Sequence, residues 1–125
     1  MRKSFAAILL LIILVISSRG TVHAAPQPSS KETTEKLTHD TLLTTLFPYL
    51  QQAVTSYYGH PKQFDLFNAK ILHIKREREG GFGFIVNVQV KTFEGAHNPP
   101  YGTETITIDV NPARVSVTDY KHKDG

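Results

Sequence analysis

The chain predicts an α+β fold in which one N-terminal helix packs on a curved, four-stranded antiparallel sheet. Three observations carry this. Apolar residues recur at three- and four-residue steps from Leu42 to Tyr58, the period changes to two beyond Asp65, and only short links separate the alternating runs. A sheet with one apolar face needs a cover, and the sequence offers one amphipathic helix to supply it.

The helix comes first. Thr38 is read as its N-cap hydroxyl, with Asp40 in the first turn at the positive end of the dipole and Leu37 placed to staple onto Leu42. Leu42, Leu43, Leu46, Phe47, Leu50, Ala53, Val54, Tyr57 and Tyr58 then mark one face. Gly59 suits the C′ position and Pro61 prevents continuation, so the helix is expected to stop near Tyr58. Pro48 has no N–H for the Thr44 carbonyl and predicts a bend.

The strands follow. Residues 66–76 form a loosely alternating strand, and Glu79-Gly80-Gly81 lies in the loop after it. In residues 82–92, Phe82, Phe84, Val86, Val88 and Val90 share one face, with Gly83, Asn87, Gln89 and Lys91 on the other. A nine-residue loop with two prolines and two glycines is expected between strand ends near Phe93 and Thr103. Ile106, Ile108 and Val110 continue the apolar face, Asn111-Pro112-Ala113 turns the chain, and a last strand carries Val115 and Val117 and ends near Tyr120. Leu46, Leu50 and Val54 are expected to lie across Phe84, Val86, Val88, Ile106, Ile108 and Val117. By analogy the whole is similar to a cystatin-like roll, a likeness of fold that brings no function with it.

Residues 1–24 read as a signal peptide: Arg2 and Lys3, an apolar run from Phe5 to Ile16, and Val22-His23-Ala24 before the cut. Twelve apolar residues rise only about 18 Å as a helix, short of a hydrocarbon core of about 30 Å, so no stable membrane span is expected after cleavage. Residues 25–36, rich in Pro, Ser, Thr and charge, read as a disordered leader, and residues 37–122 as a single domain. Removing Arg2, Lys3 and Arg19 leaves eleven basic against eleven acidic residues. The net basic charge therefore belongs to the precursor, and the mature chain carries no overall charge to favour a nucleic-acid partner. With no cysteine the domain has no disulfide, and its core must hold it alone.

Catalytic motifs are absent. There is no cysteine nucleophile and no GxSxG turn, Ser56 and Ser116 have no motif partners, and no enzyme activity is assigned. Glu94 and His97 are two ligand types without a third, and His60, His73 and His122 follow no metal-binding spacing, so neither a metal nor a cofactor is expected. The candidate binding residues are His97, Asn98, Pro99, Pro100 and Tyr101 in the proline loop, with Tyr57 and Tyr58 at the helix end. In the loop, Gly95 and Gly102 are read as permitting positive φ, and the prolines as unable to join a ladder. Exposed aromatic and proline-rich loops on a rigid sheet suit recognition.

The stretches TLFPYLQQAVTSYYG, PKQFDLFNAKIL, EGGFGF and TFEGAHNPPYGTETIT resemble a family of small exported proteins of spore-forming Gram-positive bacteria, catalogued as a domain of unknown function (number 3888). The resemblance covers about residues 38–121. It implies an exported chain with a helix followed by strands, and no known activity or catalytic residue. The resulting expectation is a secreted binding module with a protein or cell-surface partner, acting at the cell surface or in the medium. The alternative is a small-ligand carrier with a hollow between helix and sheet lined by Phe47, Tyr57, Phe82 and Phe84.

Overall fold

A computed structural model of the chain describes Gly20 and residues 31–125. Residues 1–19 and 21–30, which hold the signal segment apart from Gly20 and the first half of the leader, lie outside the described residues. Among those described, no helix is long and apolar enough to cross a membrane. The account below concerns the unit Glu32–Gly125.

Helix α1 runs from Thr34 to Tyr58, and its N-cap is Thr33, whose hydroxyl accepts from the Lys36 amide at 3.2 Å. It therefore begins five residues before the start read from Thr38 and takes in Thr34 to Lys36, which the sequence reading gave to the disordered leader. Thr33-Thr34-Glu35 supplies a cap and a first-turn acid of its own, and Lys36 pairs with Asp40 one turn on. Leu37 is consequently a half-exposed helical residue rather than an entry staple. At the other end Gly59 adopts φ 75° and donates to the Thr55 carbonyl at 2.9 Å, the left-handed cap expected there. The helix continues through Pro48.

Five strands follow: β1 Gln63–Phe64, β2 Lys70–Arg76, β3 Phe84–Glu94, β4 Asn98–Asn111 and β5 Arg114–Asp124. The order is β1-β3-β4-β5, all neighbours antiparallel, and β2 pairs with the other half of the β3 edge that β1 occupies. The meander of β2 to β5 agrees with the short links; the two-residue β1 is an addition to the four strands expected. The cystatin-like roll is not what forms. The sheet is neither closed nor strongly curled, and no pairing joins β5 to β1 or β2. A single helix that buries one stripe, Leu43, Leu46, Leu50 and Val54, covers one side of an open sheet without requiring the sheet to wrap it.

The core is Leu43, Leu46, Leu50 and Val54 of α1 against Val86, Val88 and Val90 of β3 and Ile106 and Ile108 of β4, with Phe64 and Ala69 at the β1 side. Five of these are the alternating residues read from the sequence. Phe82, also read into that face, precedes β3 and is 73% exposed, and Val117 is half-exposed because β5 is an edge strand.

Candidate functional site

The proline segment is not a nine-residue loop. Gly95, Ala96 and His97 make the whole turn between β3 and β4, and Glu94 pairs with Asn98 directly across it. Gly95 and His97 take φ of 50° and 62°, a left-handed conformation that glycine enters freely and histidine more readily than most residues. Pro99 and Pro100, joined by a cis bond, belong to β4. The β3–β4 ladder is interrupted between Glu94↔Asn98 and Thr92↔Gly102, where two residues without an N–H bulge out of the pairing.

The segment is fixed in place although its side chains face solvent. The Tyr101 hydroxyl donates to the His97 carbonyl at 2.8 Å, the Gly125 amide to the Tyr101 carbonyl at 3.1 Å, and the Lys62 ammonium to the Pro100 carbonyl at 3.0 Å. Lys62 is 3% exposed, reaches Glu94 at 3.3 Å, and lies 4.5 Å from the centre of the Tyr58 ring. A buried ammonium needs such partners, so it ties the proline segment to the end of α1. The His97 ring stacks on Phe93 with centroids 3.9 Å apart and stands 4.0 Å from Asp65. A depression of about 330 Å³ beside it is lined by Asn68, Lys91, Phe93, His97, Tyr101 and Thr103, among others.

Behind this segment lies a polar cluster in the helix-facing side of the sheet. Glu104 of β4 is fully buried and accepts from the Tyr58 hydroxyl at 2.6 Å and the Thr92 hydroxyl at 3.0 Å; His122 Nδ1 stands 3.0 Å from its Oε2. His122 Nε2 faces Asp124 at 2.9 Å. With a carboxylate at each ring nitrogen, both nitrogens donate when the imidazole is protonated, and the pKa of His122 is raised, first by Asp124 and then by Glu104. Burial, reinforced by the bond to Glu104, pushes the Tyr58 phenol up to about 12. Burial also raises Tyr120, whose hydroxyl has no hydrogen-bond partner. Tyr57, 49% exposed, stacks on Tyr120 and His122 with centroids 4.7 and 5.1 Å away.

Gly102 makes room for this cluster. It does not adopt positive φ, contrary to the sequence reading. A Cβ there would lie 2.6 Å from the Tyr58 hydroxyl and 2.7 Å from that of Thr92, and would collide with Glu104.

Of the seven candidate residues, His97, Asn98, Pro99, Pro100 and Tyr101 form one exposed surface at the β3–β4 turn, and Lys62 links it to Tyr58. Tyr57 lies on the other side of Tyr58, toward β5. Sequence reasoning missed Lys62, Thr92, Glu104 and His122. For Glu104 the signal was present, since extending the alternation of Ile106 and Ile108 backwards puts an acid on the apolar face. Glu94 and His97 do not converge as ligands, because Glu94 turns to Lys62 and His97 to Phe93. Among the described residues no group of three or more His, Cys, Asp or Glu side chains is placed to hold a metal ion. Asp109 engages Arg114, Asp119 faces Lys121, and Asp65 bonds Asn68.

The hollow imagined for a carrier does not form from the residues named for it. Phe47 packs on Phe64, Arg76 lies over Phe84, and Phe82 faces solvent. An open groove of about 610 Å³ runs instead between α1 and β5, lined by Tyr49, Tyr57, Val115, Val117 and Tyr120, among others.

Residues 38–124 match the family model described as protein of unknown function (DUF3888). The chain belongs to this family. No curated protein matches the DUF3888 chain, and no solved structure matches it.

Proposed function

We propose that this DUF3888 protein is an exported binding module, without catalytic activity, that meets a protein or cell-surface partner through His97, Asn98, Pro99, Pro100 and Tyr101. The observation that carries the reading is the buried Lys62, which holds the Pro100 carbonyl while the side chains of residues 97–101 stay exposed. A segment already fixed before contact loses little conformational freedom on binding, which favours recognition. The exposed face of Tyr57 adds an aromatic contact nearby. The signal-like residues 1–24 support action outside the cell.

The test is a His97→Ala, Asn98→Ala, Tyr101→Ala variant cross-linked on intact producing cells beside the parent chain. A variant that melts within a few degrees of the parent but recovers no partner supports the reading. Equal recovery of the same partner from both chains refutes it. The groove along α1 and β5 supports a second reading as a carrier of a small apolar ligand, for which native mass spectrometry of the purified protein is the check. A bound ligand lost on Tyr57→Ala supports it, and a bare mass in every preparation counts against it.

A further inference from the structure

The sheet has a second face, turned away from α1, and its register sorts charge in a way that overall composition conceals. Lys70, Gln89, Thr105 and Lys121 stand in one row across β2, β3, β4 and β5. Lys91, Thr103 and Lys123 form the next row, across β3, β4 and β5. All four lysines are exposed, and Asp119 in the adjoining row stands 3.9 Å from Lys121. Of the acids elsewhere, Glu104 is buried, Glu94 pairs with Lys62, Asp40 pairs with Lys36, and the exposed Asp124 beside Lys123 pairs with the His122 ring. A chain with eleven basic and eleven acidic residues after its signal therefore presents a basic patch.

With neighbouring strands about 4.8 Å apart and alternate residues about 6.7 Å apart along a strand, Lys91 and Lys123 stand roughly 10 Å apart, Lys121 and Lys123 roughly 7 Å, and Lys70 and Lys121 roughly 14 Å. Between them lie the hydroxyls of Thr103 and Thr105 and the amide of Gln89. Lysine ammonium groups act as point charges on flexible stems, suited to a mobile chain of anionic oxygens rather than to one planar group held in a fixed orientation. Phe93, which borders the patch, is covered by His97, while Tyr101 beside it is half-exposed, so single-stranded DNA is the control that separates a backbone mode from base stacking.

We propose that this face binds a linear polymer of phosphate groups, recognised through its charged backbone and not through bases. The inference is independent of the hairpin reading, since none of residues 97–101 supplies a charge to it. The experiment measures binding of the purified chain to long-chain inorganic polyphosphate by calorimetry across a salt series. We expect measurable binding whose log affinity falls with log salt at a slope of about 2–3, as three or four neutralised phosphates require. Lys91→Glu with Lys123→Glu is expected to weaken it at least about tenfold, while Lys75→Glu with Arg78→Glu, at the far end of the sheet, changes it little. Lys91→Gln with Lys123→Gln gives the same direction if the reversed charges disturb folding. Retention of binding by the hairpin triple variant separates this face from residues 97–101. Absence of binding, equal losses in the near and far pairs, or tighter binding of single-stranded DNA or polyglutamate than of polyphosphate at equal charge overturns the assignment.

Discussion

Gly102→Ala is the sharpest perturbation of the buried cluster. The backbone at this position is not left-handed, so alanine carries no conformational strain there, and its whole effect must come from the added methyl. That methyl meets Glu104, the Tyr58 hydroxyl at 2.6 Å and the Thr92 hydroxyl at 2.7 Å. All three are side-chain ends, which in solvent would swing aside at little cost. Here Glu104 and Thr92 are buried and bonded to each other and to Tyr58, so moving one atom breaks a bond of another. Overpacking costs about 1–3 kcal/mol, and a weakened hydrogen bond to a buried carboxylate about 1.5–3. Because the two overlap, the expected loss is about 2–4 kcal/mol. For a domain of this size that lowers Tm by roughly 10–25 °C. Scanning calorimetry of the variant beside Thr103→Ala, which lies on the opposite face, measures it. A Gly102→Ala protein melting within about 3 °C of its parent would refute the close-approach account.

The His122 site predicts a pH dependence. The imidazole faces Glu104 from β4, Asp124 from β5 and the Tyr57 and Tyr58 rings from α1. Its folded pKa is raised, so the stabilisation is fully present below the unfolded value of about 6.5 and is lost as pH rises through the folded value. The urea midpoint is expected to fall as pH is raised across that window, and His122→Ala to flatten the fall; an unchanged slope in the variant rejects the pairing. In the core, Leu50 is fully buried and Phe82 is 73% exposed, so Leu50→Ala is expected to cost about 2–5 kcal/mol and Phe82→Ala about 0.5 or less by denaturant titration. Comparable losses in the two would contradict the observed packing.

Local chemistry carried much of this fold in readable form. The three- and four-residue spacing of Leu43, Leu46, Leu50 and Val54 and the alternation of Val86, Val88 and Val90 are consequences of helix and strand geometry, and those residues are the core. Gly59 ends α1 as its backbone freedom allows. The helix start was harder to read, because Thr33 and Thr38 offer the same hydroxyl, and only the formed turn selects between them. The site was legible in part: His97 to Tyr101 stand together because they are consecutive, whereas Lys62 and Tyr58 join them through contacts distant in sequence.

Tertiary structure decided the remainder through the reach of two strands. Beginning β4 at Asn98 turned an expected loop into a three-residue hairpin, and carrying β5 past Tyr120 to Asp124 set His122 opposite Glu104. The same extension placed Lys121 and Lys123 across from Thr105 and Thr103. Periodicity reports which side of a strand a residue occupies, but pairing register determines which residue stands across from it. Register is a property of two segments at once, so a charge partner on another strand becomes visible only when the sheet is assembled.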